Sequence, residues 1–225
     1  EAIAFDGEKN HSIASVPGME DRTIIASAVS KTYSWTGGRV GWAVYPTVEE
    51  AKVHRNLNIN YVASIPPYNQ IGTIAALESP LSDPAFKEMC DAFQRRRDLV
   101  VDGLNKIDGI QCQKPIGAFY VFPNIGGAIE NLGVMDAFDA LPQYIRRNSS
   151  PATLFQLFLL QNYQVATMDR RSFGIIDSEG QHFIRISVAT AAADLEEAVR
   201  RMAEALTDEA GFRSFIESGV KLTLE

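Results

Sequence analysis

The sequence predicts an α/β layer over residues 1–94 followed by a smaller α+β unit with a short sheet over residues 95–225. Three observations carry the prediction. Two short apolar runs, at 23–29 and 40–45, lack polar alternation, which is how strands covered on both faces read. Helix-start signals then follow in succession at Thr47, at Pro66-Pro67 and at Ser82-Asp83-Pro84. Beyond the last of these, strand signals become short and alternate with helices. With 225 residues the chain suits one large domain or two small ones, and it can bury a core without staples.

Residues 23–29 (T-I-I-A-S-A-V) are rich in β-branched side chains, and residues 40–45 form a second run closed by Pro46. Thr47 opens T-V-E-E, a capping box with Glu50 at the third helical position, which predicts a helix to about residue 59. A proline pair can only begin an element, so 68–77 reads as a helix. Phe86, Met89, Phe93, Val100, Leu104 and Ile107 recur at steps of three, four and seven, the stripe of a long helix crossing the boundary between the two parts. Residues 117–122, 163–168 and 182–188 read as strands. Helices are expected near 135–141, 151–161 and 195–206, and the tail from 208 to 225 packs as a short one. The first part has too few strands to close a sheet and the chain opens on Glu1, so a portion of a longer protein is expected.

A hydrophobic share of 46% with 22% charged residues excludes disordered and fibrous classes. The net charge of −7 argues against a nucleic-acid surface, and Arg95-Arg96-Arg97, the notable basic run, reads as a solvated helix face. No run approaches the roughly 18 apolar residues of a membrane helix. Cys90 and Cys112 lack C-x-x-C spacing, and His11, His54 and His182 share no ligand spacing. A metal centre and a disulfide scaffold are therefore not expected, and a cytoplasmic location is.

The chemistry concentrates in S-A-V-S-K-T-Y-S-W-T-G-G-R-V-G-W, residues 27–42. Lys31 follows a strand end, where open α/β sheets present ligands. A lysine amine, once deprotonated by desolvation or a nearby cation, condenses with a carbonyl. Hydroxyls at Ser30 and Ser34, a glycine pair and the fork of Arg39 suit a phosphate dianion. Taken singly, a lysine at a strand end is usually solvated and T-G-G-R is equally a plain turn.

These residues resemble the lysine signature of the class I/II aminotransferases, the fold-type-I enzymes dependent on pyridoxal 5′-phosphate, aspartate aminotransferase among them. Three further segments match in order and spacing: D-G-E-K-N-H-S-I-A-S-V-P-G-M before the first strand, then G-A-F-Y-V-F-P-N and F-I-R-I-S-V-A-T. The resemblance implies the C-terminal part of the large domain, with a mainly parallel sheet, over 1–94 and the small α+β domain over 95–225. It implies a lysine aldimine at Lys31, the cofactor phosphate on Arg39 and Ser30, and the substrate's α-carboxylate on Arg185. Ser64, in A-S-I-P-P-Y, resembles the loop that reaches the partner's phosphate in a homodimer.

Each residue has a plainer alternative. Arg39 could serve a surface ion pair, and Ser64 could cap the helix after Pro66-Pro67. Arg185 stands between Ile184 and Ile186, so it projects away from the core, and an internal carboxylate could pair with it. The aromatics of Gly117-Ala118-Phe119-Tyr120 read as core filling. The chain departs from the family pattern in three places: Ala28 replaces Gly or Ser, Trp35 a smaller aliphatic residue, and Asp169-Arg170-Arg171 a Pro-Gly type turn. The family's ring-pairing aspartate, stacking aromatic and glycine-rich loop lie upstream of these residues, so this chain by itself is expected not to turn over.

The resemblance thus implies transfer of an amino group between an amino acid and a 2-oxo acid. Two rivals stand beside it: a C–S lyase, decarboxylase or racemase built on the same lysine, and a non-catalytic fragment keeping the fold.

Overall fold

The computed structural model describes residues 2–174 and 181–219, which form two compact units. The first is Glu1–Ala92 with Ile116–Ala118; the second is Phe93–Pro115 with Phe119–Glu225.

In the first unit, β1 (Ile25–Ala28) pairs antiparallel with β2 (Gly41–Val44), setting Ile25 opposite Val44 and Ala28 opposite Gly41. Both apolar runs form strands, yet neither is covered on both faces, since Ala26 and all four residues of β2 are exposed. Among the described residues the two strands pair only with each other, so the ladder seen here is antiparallel where the resemblance implied a mainly parallel sheet. β1 also ends earlier than its run. The backbone turns into α1 (Val29–Thr32), and Lys31 rides on this single helical turn.

α2 (Val48–Tyr61) starts at the expected box: the Glu50 N–H donates to Thr47 Oγ1 at 3.3 Å, and the Thr47 N–H donates to Glu50 Oε2 at 3.2 Å. α3 (Pro67–Glu78) opens with proline in its first turn. Val48, Val53 and Leu57 on α2, and Ile71, Ile74 and Leu77 on α3, are exposed. An apolar helix surface of this extent is unusual for a face left in water.

The division between units falls within α4 (Ser82–Leu104). In its C-terminal part Phe93, Val100 and Leu104 are buried, as their spacing requires. The basic run corrects the expectation of a solvated face. Arg97 is 1% exposed; its Nε donates to Asp98 Oδ1 at 2.9 Å and its Nη1 to the Pro115 carbonyl at 2.7 Å. A buried cation persists only when so partnered.

The second unit holds β3 (Tyr120–Val121), three short helices α5 (Gly126–Asn131), α6 (Val134–Asp139) and α7 (Gln143–Arg146), then α8 (Pro151–Tyr163) and β4 (Met168–Asp169). β5 (Ile184–Ser187), α9 (Ala192–Ala205) and α10 (Glu209–Glu217) complete it. The sheet order is β3-β5-β4, both pairings antiparallel. The strand expected over 163–168 is displaced because Tyr163 still belongs to α8, whose end is marked by left-handed Gln164 (φ 58°). Val121, Ile184 and Val188 from the sheet region, Phe155 and Phe158 of α8, Met202 of α9, and Phe212 and Phe215 of α10 are all buried in the core. The Phe158 ring stacks edge-on against Phe212 at 5.3 Å, so the tail helix closes that core. Residues 220–225 of the expected tail helix lie outside the described residues.

Candidate active site

In the first unit Lys31 is exposed on α1 and Ser30 beside it is half-buried. Ala28 occupies the N-cap position of α1 and supplies no side-chain cap. After Tyr33 the chain turns through left-handed Ser34 (φ 51°) and a 3-10 turn, Thr36–Gly38, into left-handed Arg39 (φ 50°). Arg39 Nη1 donates to the Thr36 carbonyl at 2.9 Å, which folds the side chain over its own turn. No ion pair engages Arg39 among the described residues, so the surface-pair alternative is not realised, and the residue is exposed.

α3 holds this turn in place. Asn69 Nδ2 donates to the Gly38 carbonyl at 2.9 Å. Trp35, bulky where the family pattern is aliphatic, is received by two glycines: a Cβ on Gly38 or on Gly72 would come within 2.6 Å of its indole. Gly72 therefore sits inside a helix, despite costing about 1 kcal/mol relative to alanine there, because the indole needs its space. Gly72→Ala is expected to destabilise the chain by about 1–2 kcal/mol, overriding the gain in helix propensity. Urea unfolding followed by tryptophan fluorescence measures it; a more stable variant would show that the indole has room.

Ser64 is exposed between α2 and α3. It does not cap α3, because the cap position belongs to Pro66, which offers no side-chain bond. The alternative reading of Ser64 as a cap is thereby removed.

In the second unit Ile184 and Ile186 are 0% and 9% exposed, so Arg185 projects to the opposite face of β5. Pairing sets Met168 directly opposite Arg185 and Tyr120 opposite Ser187, which places Tyr120, Met168 and Arg185 on one face of the sheet. The guanidinium carbon lies over the Tyr120 ring, 4.2 Å from its centroid, and over the Phe173 ring at 4.4 Å. Its Nη2 donates to Met168 Sδ at 3.0 Å. Among the described residues no carboxylate pairs with it, so the internal ion pair is not what holds Arg185. Tyr120 also corrects an expectation: it lines this face and does not fill the core, whereas its neighbour Phe119 stacks on Phe93 at 5.7 Å.

The departure at Asp169-Arg170-Arg171 forms a 3-10 turn, Arg170–Phe173, that ends at the arginine. Asp169 is buried and its Oδ1 accepts from the Ser172 N–H at 2.9 Å and from Ser172 Oγ at 2.8 Å. Its other oxygen accepts from Thr153 Oγ1 in the first turn of α8. Arg171 Nη1 donates to the Ser149 carbonyl at 2.7 Å and Nη2 to the Arg147 carbonyl, so this arginine is spent on the turn.

Other nucleophiles and ligands compete poorly. Burial pushes the Cys112 thiol up to about 11 and raises that of Cys90, which keeps both as thiols near neutrality. Among the described residues no group of three or more His, Cys, Asp and Glu could hold a metal, and no helix is long and apolar enough to cross a membrane.

Sequence reasoning missed Tyr120 and Phe173 as companions of Arg185, and Asn69 and Gly72 as supports of the Gly-Gly-Arg turn. Strand alternation through Tyr120 was the available signal for the first of these; nothing local marks the others.

The first unit thus carries an amine and a guanidinium in the connection between β1 and β2, and the second carries a guanidinium on a sheet face with no carboxylate partner among the described residues. The chain belongs to the family "Aminotransferase class I and II", whose profile matches residues 2–202. It is 36% identical over 208 residues to an aspartate aminotransferase of Rhizobium meliloti, covering 91% of this chain and 46% of the relative. It is also 36% identical over 190 residues to a probable aspartate/prephenate aminotransferase of Aquifex aeolicus, covering 84% and 42%. Among solved structures, the aspartate aminotransferase from Rhizobium meliloti matches with a TM-score of 0.74 at 33% identity, over 92% of this chain and 47% of that one. The aromatic aminotransferase from Pyrococcus horikoshii matches with a TM-score of 0.73 at 33% identity, over 94% and 50%. The chain thus spans about half the length of the curated relatives it matches.

Proposed function

We propose that this chain serves a pyridoxal-phosphate-dependent aminotransferase that moves an amino group between an amino acid and a 2-oxo acid. The observation that carries the proposal is the connection between β1 and β2: it carries Lys31 on α1 and, eight residues on, Arg39 after the 3-10 turn, within the segment matched by the aminotransferase family. The donor set fits the cofactor, since an amine suits its aldehyde and a guanidinium with the Ser30 hydroxyl suits its phosphate. When bound, that group supplies the electron sink for the substrate's α-carbon. Lys31 Nζ takes the α-proton and returns it. Arg39 and Ser30 anchor the phosphate, and Ser64 serves the partner's phosphate in a homodimer. Arg185 selects α-carboxylates in both half-reactions.

In this reading the first unit belongs to the large cofactor-binding domain and the second is the small domain of a cytoplasmic enzyme. On the same reading, the exposed Lys31 and the apolar faces of α2 and α3 are covered in the assembled enzyme.

Reductive labelling tests the proposal without requiring turnover. The chain is mixed with pyridoxal 5′-phosphate, treated with borohydride and digested, and the modified peptide is identified by mass. Labelling concentrated on Lys31 is expected. Labelling spread evenly over exposed lysines such as Lys52 and Lys87 would sink the assignment.

A further inference from the structure

We infer that Tyr120 and Phe173 are positioning residues for carboxylate recognition: their rings flank the Arg185 guanidinium and direct its free edge toward a ligand carboxylate. The inference rests on Arg185 being the carboxylate-binding group, as proposed above.

The geometry carries it. One guanidinium carbon lies over two rings, at 4.2 Å and 4.4 Å, and the rings make no stacking contact with each other among the described residues. A planar cation flanked by rings keeps its in-plane N–H groups for an acceptor, and one of them is already steered by Met168 Sδ at 3.0 Å. The choice of partner matters chemically. An internal carboxylate would orient the guanidinium equally well, but it would neutralise the charge and compete with the ligand. Two rings and a thioether orient the group and leave its positive charge uncompensated. Side-chain entropy is also removed before binding, since a free arginine samples many rotamers that a ligand would otherwise have to order.

Phe173 is placed with care for a residue that is 46% exposed. It ends the turn that Asp169 caps through Ser172 and fastens to α8 through Thr153, while Arg171 ties the same turn to two backbone carbonyls. Asp169 and Arg171, two of the three residues that depart from the family's turn, therefore act through Phe173 on Arg185. Tyr120 is brought to Arg185 by strand register, since it pairs with Ser187, two residues along β5 from the arginine.

The test reads the arginine itself. In the 225-residue chain, the Nε–Hε resonance of Arg185 is followed by nitrogen–proton NMR while pyruvate, a simple 2-oxo acid, is titrated in. In the unsubstituted chain the resonance is expected to be displaced by ring currents and to move with pyruvate. Phe173→Leu, which keeps bulk without a ring, and Tyr120→Leu are each expected to abolish part of the ring-current displacement and to weaken pyruvate binding about tenfold. Phe173→Tyr is expected to stay within about twofold. Unchanged resonances of Arg97 and Arg201 report that the variants are folded. If both leucine variants bind pyruvate as the unsubstituted chain does, the positioning role is overturned while Arg185 remains the carboxylate group. If pyruvate moves no Arg185 resonance in the unsubstituted chain, the carboxylate assignment itself falls, and the inference with it.

Discussion

Alanine at Lys31 is expected to lower transamination by the cofactor-loaded enzyme at least about 10³-fold, with the fold unchanged. On the proposed function two contributions would disappear together: the amine that takes up the carbonyl, and the base that moves the α-proton, the latter alone worth about 10²–10⁴-fold. Stability should shift by no more than about 0.5 kcal/mol, because the side chain is exposed and alanine suits the turn of α1. Arginine at the same position should not rescue the activity, since a guanidinium stays protonated and offers no free amine. The measurement is 2-oxo acid formed per unit time from a panel of amino acids, with thermal unfolding recorded beside it. An alanine variant retaining a tenth or more of the rate would remove Lys31 from the reaction.

Arg185→Leu is expected to lower kcat/KM about 10²–10³-fold, the cost of deleting one partner of a desolvated carboxylate–guanidinium pair. The loss should appear chiefly as a raised KM, because the carboxylate is bound in the ground state and the transition state alike. Arg185→Lys should recover only part of it, since a point charge lacks the fork that grips two oxygens and stacks less well between Tyr120 and Phe173. Amines lacking a carboxylate discriminate the role: the leucine variant should handle them as the unsubstituted enzyme does. Equal losses on both substrate types would mean that Arg185 supports the fold of β5 instead of the ligand.

Much of the architecture was legible in local chemistry. The box at Thr47 and Glu50 announced α2, the proline pair announced α3, and a single stripe of apolar residues gave the course of α4. Where the reading erred, a pairing, a helix cap or the packing of other elements had intervened. Arg97 looked solvated because a basic run usually is, yet Asp98 and the Pro115 carbonyl allow it to be buried. Strands shrank wherever capping won: α8 extends through Tyr163 to a left-handed residue, and the ladder starts only at Met168. The two apolar strands were read as covered on both faces, but cover is a property of what packs on them, and within these residues little does.

The candidate site divides in the same way. Lys31, Ser30, Arg39 and Arg185, the residues of the proposed site, could be singled out in the sequence because the proposed chemistry asks for particular residue types at particular spacings: an amine at a strand end, a fork eight positions on, and a charge between two isoleucines that alternation turns outward. Their companions could not be found that way. Gly72 is meaningful only against the indole of Trp35, Asn69 only against the Gly38 carbonyl, and Phe173 only against the guanidinium it flanks. A period of two or three and a half fixes which way a side chain leaves its own backbone. What it meets there depends on how separate elements pack, and that is decided by the burial and pairing of groups far apart along the chain.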